Sequence, residues 1–228
     1  NPNLIFADCD YENMLNVTLK SSFANQGQIC LCGSRIYVER TIYEKFKMDF
    51  VARVKALKVG HPSDIKTNIG ALVSKPHLEK VKSYIDIAEE EGGKVIAGGN
   101  YVTVKGYETG YYLEPTVIEI NNPICRLTQE EIFGPVVTLM PFDTDEEALA
   151  LANGVRYGLS STIWTNNLNR TMHLAKNLEA GIVWINTWLM RDLRTPFGGT
   201  KDSGVGREGG LEALRFFTEP KNVCIKYN

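Results

Sequence analysis

Short apolar runs alternate with helical patterns along most of the chain, and this alternation limits the folds that the sequence can adopt. Runs rich in β-branched and aromatic residues are typical of strands. They cover residues 4–7, 36–38, 94–97, 116–120, 136–142, 162–164 and 181–185. Apolar strands separated by helices of about 10–15 residues indicate a parallel sheet covered on both faces. The predicted fold class is therefore α/β, with a mainly parallel, twisted sheet and helices on both faces.

Helices are predicted between these runs, at about residues 41–58, 75–92, 144–152 and 167–178. The first has apolar residues at steps of three and four. Thr41 and Glu44 would form its capping box, and Gly60 would end it. Pro76 fits the first turn of the second helix. Pro141 is expected to break the strand in which it lies.

The C-terminal part of the chain has a different texture. Residues 186–210 are rich in Gly, Pro, Arg and polar residues, which is typical of a loop. Gly204, Gly206 and Gly209 match G-x-G-x-x-G, but no strand precedes them and too few residues follow for a dinucleotide fingerprint. We interpret this stretch as a flexible loop before a short helix. Residues 222–227 alternate apolar and polar side chains, which predicts an arm strand that pairs with another chain or a distant element.

Composition excludes several classes of function. The chain has 228 residues, a formal net charge of −2 and 43% hydrophobic residues. Such a charge draws neither nucleic acid nor an anionic membrane surface, and no apolar run approaches the ~18 residues of a membrane span. We predict no nucleic-acid and no membrane partner. The opening Asn1-Pro2-Asn3 enters a strand without a signal peptide, which is typical of a chain cut from a longer one or freed of a tag.

The cysteines and histidines give no sign of a metal site. Five scattered cysteines without a secretory signal indicate reduced thiols and a cytoplasmic location. Cys30 and Cys32 lack the two-residue spacer of zinc sites. His61, His77 and His173 have no Cys or His neighbours in sequence, so no metal is predicted.

Cys30 is the first candidate for chemistry. Gly27 leaves the approach to a thiol open, and nearby backbone N–H groups can stabilise an oxyanion. A cysteine beside Ile29 and Leu31 is more often a small buried hydrophobe, so the residue type alone leaves both interpretations open. His173 lies in a polar helix and is a poor partner for a Cys–His hydrolase.

Two further segments combine charge with aromatic residues. Glu130 and Glu131 precede a Phe-Gly-Pro turn, where they could bind hydroxyl groups or form a solvated pair at a helix end. Arg191 and Arg194 lie in an apolar and aromatic loop. They suit bidentate capture of a carboxylate, or they pair with Asp192 for structural reasons. The residues alone leave both questions open.

Together these segments resemble the NAD(P)-dependent aldehyde dehydrogenase family, over the whole chain and in the family's order and spacing. The motif around the catalytic cysteine is matched at Phe23, Gly27, Gln28, Ile29 and Cys30. The cofactor-contacting motif is matched at residues 130–136 (EEIFGPV) and the C-terminal signature at residues 196–208. Residues 188–194 most resemble the 2-aminomuconic and 2-hydroxymuconic semialdehyde dehydrogenases, in which the arginine matching Arg191 faces the substrate's carboxylate.

The resemblance implies oxidation of an aldehyde to a carboxylic acid, with NAD as cofactor and NADP not excluded. Cys30 would attack the aldehyde, and its backbone N–H would stabilise the oxyanion. Hydride would pass to NAD, and water would then release the acid. Glu131 would bind the nicotinamide-side ribose, with Phe133 beside it. Contacts to the substrate would come from Trp188, Arg191 and Phe197.

The resemblance also implies a division of the chain. Residues 1–200 would be the catalytic domain, 201–217 a loop and helix returning towards a cofactor domain, and 218–228 a strand used for homo-oligomer pairing. Asn186 would be a structural support. The dinucleotide-binding domain and the general-base glutamate would lie outside these residues, so we predict that the chain is inactive alone. A Cys-dependent hydrolase or acyltransferase and a non-catalytic assembly module stay open as alternatives.

Overall fold

Strands and helices alternate along the chain, as the sequence pattern indicates. The structure is a computed structural model that describes residues 1–228. The strands are β1 (Pro2–Ile5), β2 (Arg35–Glu39), β3 (Gly93–Ala97), β4 (Tyr101–Val102), β5 (Tyr112–Leu113), β6 (Thr116–Ile120), β7 (Val136–Phe142), β8 (Tyr157–Gly158), β9 (Ser160–Trp164), β10 (Ile182–Ile185) and β11 (Thr200–Lys201). The helices are α1 (Tyr11–Phe23), α2 (Arg40–Lys55), α3 (Lys75–Asp86), α4 (Arg126–Gln129), α5 (Asp145–Asn153), α6 (Leu168–Asn177) and α7 (Gly210–Phe216).

Seven of the strands form one twisted sheet in the order β10-β9-β1-β2-β7-β6-β3. Neighbouring strands run parallel from β10 to β6. Strand β3, at the edge, is antiparallel to β6. The short strands form two separate antiparallel pairs, β4 with β5 and β8 with β11. The predicted mainly parallel α/β sheet is confirmed.

Helices cover both faces of the sheet. Successive strand residues point to opposite faces, so Leu4 belongs to a core of 22 buried residues and Ile5 to a second core of 16. The first core receives Val81, Ala148 and Leu174 from α3, α5 and α6, and the second receives Met14 and Phe46 from α1 and α2. Two cores of this size show that neither face of the sheet is left to solvent.

The expectation that Pro141 breaks its strand was wrong. Strand β7 runs unbroken through Pro141, which lies opposite Val38 of β2. The pairing of β7 with β6 ends at Leu139. Near its end β7 therefore has a single paired neighbour, and a residue without an N–H is tolerated there.

The capping box expected for α2 was also wrong. The helix begins at Arg40 with Glu39 as its N-cap, and no side chain caps it. The Thr41 hydroxyl instead donates to Oε1 of Glu39 at 2.8 Å. Because β2 ends at Glu39 and passes straight into the helix, there is no linker to supply a capping residue. The helix ends at Lys55, well before Gly60.

The other predicted helices are confirmed, with one shorter than expected. Thr144 and Asn167 cap α5 and α6 through their side chains. Helix α3 ends at Asp86 because the chain turns there, and the Gly93 N–H donates to Ala88 O at 2.7 Å on the way into β3.

Helix α1 was missed, although it leads directly to Cys30. Asp10 caps it by accepting from the Asn13 N–H at 3.3 Å. Its buried face includes Thr18, Ser21 and Ser22 beside the apolar residues, so the hydrophobic stripe that marks a helix is weak.

The C-terminal segment, residues 218–228, forms neither helix nor strand within the chain and is exposed. Its pairing with a second chain stays a prediction. None of the helices, of which α2 is the longest with 16 residues, combines the length and apolar character needed to cross a bilayer.

Candidate active site

A cavity of about 310 Å³ opens beside one end of the parallel strands, and Cys30 lies on its wall. Cys30 precedes β2, Glu131 and Phe133 precede β7, and Ala180 precedes β10, and all four line this cavity. Because the strands are parallel, these segments meet at the amino ends of the strands. Doubly wound sheets bind nucleotides outside the carboxyl ends of their strands. The Cys30 cavity is therefore different from the nucleotide crevice of such a fold.

The segment before Cys30 bends sharply. After α1 the chain enters a 3₁₀ turn, Ala24–Gly27, in which Asn25, Gln26 and Gly27 have φ values of 50°, 58° and 70°. This left-handed conformation costs about 1–2 kcal/mol for a residue with a Cβ and nothing for glycine. The bend separates α1 from the turn that presents Cys30.

The Cys30 thiol is exposed, which excludes the alternative that Cys30 fills the core. Its backbone N–H makes no hydrogen bond within the chain. The Cys30 N–H is therefore free to donate to an oxyanion formed at the thiol. Cys32 differs, because it is buried and desolvation raises the pKa of its thiol to about 11.

Asn1 holds the Cys30 turn, a role that sequence reasoning missed. Its Nδ2 donates to Cys30 O at 2.7 Å and to Cys32 O at 2.9 Å, and its Oδ1 accepts from the Ser160 N–H at 3.1 Å. No spacing pattern in the sequence marks this contact, because it depends on the pairing of β1 with β9.

Trp188, which is distant from Asn1 in the sequence, also contacts the Cys30 turn. It is 8% exposed, and its Nε1 donates to Leu31 O at 2.9 Å. It packs with Leu31 and Trp184 in a small apolar cluster. The structure places Trp188 against Leu31, the residue next to Cys30, where it supports the Cys30 turn.

The paired carboxylates at 130 and 131 differ in their surroundings. Glu130 accepts from Arg126 Nε at 3.1 Å and from the Tyr84 hydroxyl at 2.5 Å. The Arg126 guanidinium, assisted by the Tyr84 hydroxyl, holds the pKa of the Glu130 carboxyl below its usual range. Glu131 is exposed at the cavity and its carboxylate has no partner within the chain. Glu131 is therefore the carboxylate available to a ligand.

One face of α3 contacts the segment 130–134. The residues of this face, spaced as one helical stripe, are His77, Lys80, Val81 and Tyr84. Phe133 has a φ of 61°, and its carbonyl oxygen lies 2.7 Å from Nε2 of His77. Because a carbonyl only accepts, Nε2 must carry the proton. Lys80 Nζ donates to Glu131 O at 3.1 Å. Sequence reasoning missed these helix residues, although their spacing is a readable signal.

Two glycines bring the Cys30 and Glu131 segments into direct contact. A Cβ at Gly27 would lie 2.0 Å from Gly134 O, and a Cβ at Gly134 would lie 2.6 Å from a methyl group of Val81. Glycine is therefore needed at both positions for the backbones to approach. The Cys30 turn, the segment 130–134 and α3 form one packed unit.

The two arginines of the loop 188–196 are in different states. Arg194 Nε donates to both carboxylate oxygens of Asp192, at 2.9 and 3.1 Å. Arg191 is exposed, with its guanidinium carbon 4.5 Å from the centroid of the Phe197 ring and no hydrogen bond or ion pair within the chain. Arg191 is therefore the arginine free to meet an anionic group.

The predicted site residues other than Trp188 line two cavities, and Trp188 lines neither of them. Cys30, Glu131 and Phe133 line the first, whereas Arg191 and Phe197 line a second of about 180 Å³. The Phe197 ring packs on the cluster of Leu31, Trp184 and Trp188, and Ile29 packs on the same cluster. This apolar cluster, which includes Leu31 of the Cys30 turn, lies between that turn and the second cavity.

Asn186 has the structural role expected of it. It has a φ of 53°, and its side chain accepts from the Thr165 N–H at 3.0 Å and donates to Thr165 O at 2.9 Å. The glycines at 204–209 lie in a loop between the two-residue strand β11 and the short helix α7. The expectation that no strand precedes them was wrong, although β11 pairs with β8 outside the main sheet. No group of three or more His, Cys, Asp or Glu side chains in the chain is arranged to hold a metal ion.

This geometry agrees with the comparison to known proteins: the chain belongs to the aldehyde dehydrogenase family, whose family model matches residues 1–223. Among particular relatives, the chain is 49% identical to the 2-aminomuconic semialdehyde dehydrogenase of Danio rerio, over 100% of the chain and 47% of that protein. It is 46% identical to the 2-hydroxymuconic semialdehyde dehydrogenase of Pseudomonas putida, over 99% of the chain and 47% of that protein.

A solved structure shows the same fold. The betaine aldehyde dehydrogenase of Staphylococcus aureus in complex with NAD+ has a TM-score of 0.92 and 39% identity to the chain, and the match covers 95% of the chain and 43% of that protein. The chain spans about half the length of the relatives that it matches.

Proposed function

We propose that the chain is the catalytic half of an NAD-dependent dehydrogenase that oxidises a carboxylated semialdehyde to the corresponding acid. The observation that carries the proposal is the exposed Cys30 with its free N–H, on one cavity wall with Glu131 and Phe133. None of the three histidines lines this cavity, so a Cys–His hydrolase has no base there.

The Cys30 thiolate would attack the aldehyde carbon to form a thiohemiacetal, and the Cys30 N–H would donate to the oxyanion. Bound NAD supplies the acceptor for hydride. The unpartnered Glu131 carboxylate fits the hydroxyl groups of a ribose, and Phe133 lies beside it on the same wall. Loss of hydride leaves a thioester on Cys30, which water then hydrolyses to the acid.

The domain that binds the dinucleotide would come from chain outside these 228 residues. Two observations support this part of the proposal: the cavity lies at the amino ends of the strands, and the relatives are about twice as long. We expect purified 1–228 to show no NAD-dependent turnover of an aldehyde. An assay of NADH formation checks this, and activity without a complementing polypeptide would contradict it.

Arg191 supports a substrate that carries a carboxylate. It is the arginine of the loop without an internal anionic partner, and it lies over the Phe197 ring, which packs on the apolar cluster that includes Leu31 of the Cys30 turn. A cation here favours an anionic substrate and repels a cationic one. The names of the relatives, which are semialdehyde dehydrogenases, agree with an acidic substrate.

In the full-length enzyme, Arg191→Ala should weaken kcat/KM for a carboxylated semialdehyde by roughly 2–4 kcal/mol and spare a neutral aldehyde of similar length. Arg194→Ala is the matched control, because that guanidinium is already paired with Asp192. Steady-state kinetics with both substrates measures the two effects. Equal losses on both substrates, or the same loss in the control, would refute the carboxylate contact.

A second role, self-association, is favoured by the exposed apolar residues of the C-terminal segment. Val223, Ile225 and Tyr227 are 69%, 64% and 85% exposed. We propose that residues 218–228 pair with a second copy of the chain. Light scattering of 1–228 against a chain without residues 219–228 tests this, and an unchanged particle size would rule it out.

A further inference from the structure

The segment 70–73 leads into α3 and runs beside the Cys30 turn, and none of its residues lines the Cys30 cavity. The Val73 N–H donates to Oε1 of Gln28 at 3.1 Å and has no other partner within the chain. Gln28 is two residues before Cys30 and does not line the cavity either. A side chain outside the cavity therefore ties the turn to a neighbouring segment.

A second glutamine makes a similar contact at the strained part of the turn. Gln26, with its amide oriented to satisfy its neighbours, accepts from the Gly70 N–H at 2.9 Å and donates to Asn25 O at 2.9 Å. Asn25 and Gln26 both have a left-handed backbone, with φ values of 50° and 58°. Residues with a Cβ keep such a conformation only where surrounding contacts impose it. The contacts of the segment 70–73 are of this kind, because they come from outside the turn.

The Gln28 contact lies close enough to Cys30 to set the direction of the Cys30 N–H. The backbone of Gln28 is held on both sides, since its N–H donates to Asn25 O at 3.0 Å and its carbonyl accepts from Asn25 Nδ2 at 3.1 Å. Peptide units are planar, so only the two backbone dihedral angles of Ile29 separate this anchored carbonyl from the Cys30 N–H. The direction of that N–H therefore follows the position of Gln28.

We propose that Gln28 is a positioning residue, which aims the Cys30 N–H at the oxyanion through its bond to the Val73 N–H. The proposal rests on the proposed function in one respect, because it takes Cys30 as the nucleophile and its N–H as the oxyanion donor. Such a donor acts only when it points to the place where the charge develops. Gln28 therefore affects a step in which an oxyanion forms and leaves a step without an oxyanion unchanged.

Two reactions of the Cys30 thiolate separate these cases without an aldehyde or NAD. With p-nitrophenyl acetate, the sulfur adds to the carbonyl carbon, an oxyanion forms, and its collapse expels p-nitrophenolate and leaves a thioester on Cys30. With iodoacetamide, the S–C bond forms as the C–I bond breaks, iodide leaves, and no oxyanion forms. Because both reactions use the thiolate, the fraction of thiolate cancels in the ratio of their rate constants.

The test uses 1–228 carrying Cys224→Ser, which removes the other exposed thiol and serves as the parent. Release of p-nitrophenolate and mass spectrometry of alkylated Cys30 give the two rate constants, and Cys30→Ser gives the background. Gln28→Met keeps the length of the side chain and removes the acceptor. Loss of a whole oxyanion donor costs roughly 10²–10³-fold, so for a misdirected donor we expect the ratio of acylation to alkylation to fall about tenfold.

Gln28→Glu keeps an acceptor for the Val73 N–H and should restore the ratio to within about threefold of the parent. Val73→Pro removes the donor of the same bond, so it should lower the ratio as Gln28→Met does, with no further loss in the double variant. Gln129→Met is the matched control, because the Gln129 amide donates to Pro123 O and Gly154 O, away from the turn. It should leave the ratio unchanged.

Three outcomes would overturn the proposal. One is a ratio that stays at the parent value in Gln28→Met or in Val73→Pro, whether or not both rate constants fall together. Another is a ratio in Gln28→Glu as low as in Gln28→Met. The third is a parent ratio no higher than that of N-acetylcysteine, which would show that the Cys30 N–H is not an oxyanion donor. Since NADH formation by the full-length enzyme tests the dehydrogenase proposal, the two failures are distinguishable.

Discussion

Two segments flank the Cys30 turn, and they are held in opposite ways. The segment 130–134 is contacted from outside by one face of α3, through His77, Lys80, Val81 and Tyr84. The loop 188–196 is anchored by Trp188 but is otherwise exposed, with Met190 and Leu193 74% and 75% exposed. Its charged residues pair mainly within the loop.

The difference separates two tasks. Each residue of the segment 130–134 contacts residues outside the segment. The segment can therefore place Glu131 and Phe133 reproducibly beside Cys30. An exposed loop held at one end tolerates changes of side chain at little cost in stability. In the proposed function, the first segment serves the chemistry common to the family and the second selects the substrate.

The strongest test of the packed unit is the glycine at its centre. Gly27→Ala should lower the free energy of unfolding by about 3–5 kcal/mol, because its Cβ would lie 2.0 Å from Gly134 O at a φ of 70°. Urea unfolding measures the loss. Gly92→Ala is the matched control, with a φ of 82° and no atom within 4 Å of the added Cβ.

The control should lose only the cost of the left-handed backbone, about 1–2 kcal/mol. A similar small loss in both variants would show that the contact between Gly27 and Gly134 is loose. In that case the Cys30 turn and the segment 130–134 would not form one unit.

A smaller effect is expected when one outside contact of the segment is removed. His77→Ala should lower the free energy of unfolding by about 1–2 kcal/mol, because Phe133 O loses its donor. Amide hydrogen exchange at Phe133, Gly134 and Val136 should become faster. Glu79→Ala, an exposed change on the outer face of α3, should leave both quantities unchanged.

His77→Gln offers a rescue, because its amide nitrogen can donate to the same carbonyl. Equal exchange rates in His77→Ala and Glu79→Ala would show that α3 does not support Phe133.

The sheet could be predicted from sequence because its strands carry their own signal. The runs at 116–120 and 136–142 became β6 and β7 with the same bounds. Parallel strands that are buried on both faces must be apolar throughout, so the pattern reports burial directly. Helix α1 was not predicted, because Thr18, Ser21 and Ser22 interrupt the apolar stripe that would have marked it.

The candidate site was predictable only where a local motif marks it. Cys30 and Glu131 lie in recognisable segments, whereas Asn1 acts on Cys30 through contacts that cross most of the chain, including one to Ser160. Such contacts follow from strand pairing, which no local pattern reveals. The contacts of α3 could be predicted only in part. The regular spacing of its residues marks a helix face, but the segment 130–134 that this face contacts is distant in sequence.

The smallest losses of stability are expected at two carboxylates, one in each segment, that are each bonded to an arginine. Glu130→Gln should cost up to about 1 kcal/mol, because it weakens bonds to Arg126 and Tyr84 on a side chain that is 44% exposed. Asp192→Asn should leave the free energy of unfolding unchanged within error, because its partner Arg194 is in the same exposed loop.

The pH dependence gives the sign of the Glu130 contribution. Its bonded arginine lowers the pKa of Glu130 in the folded chain, so the stabilisation is complete at neutral pH and is lost as the pH falls through the acid range. The difference between parent and Glu130→Gln should therefore shrink on acidification in urea-unfolding experiments. If Asp192→Asn cost as much as Glu130→Gln, the loop would be as firmly held as the segment against α3, and the separation of tasks between them would fail.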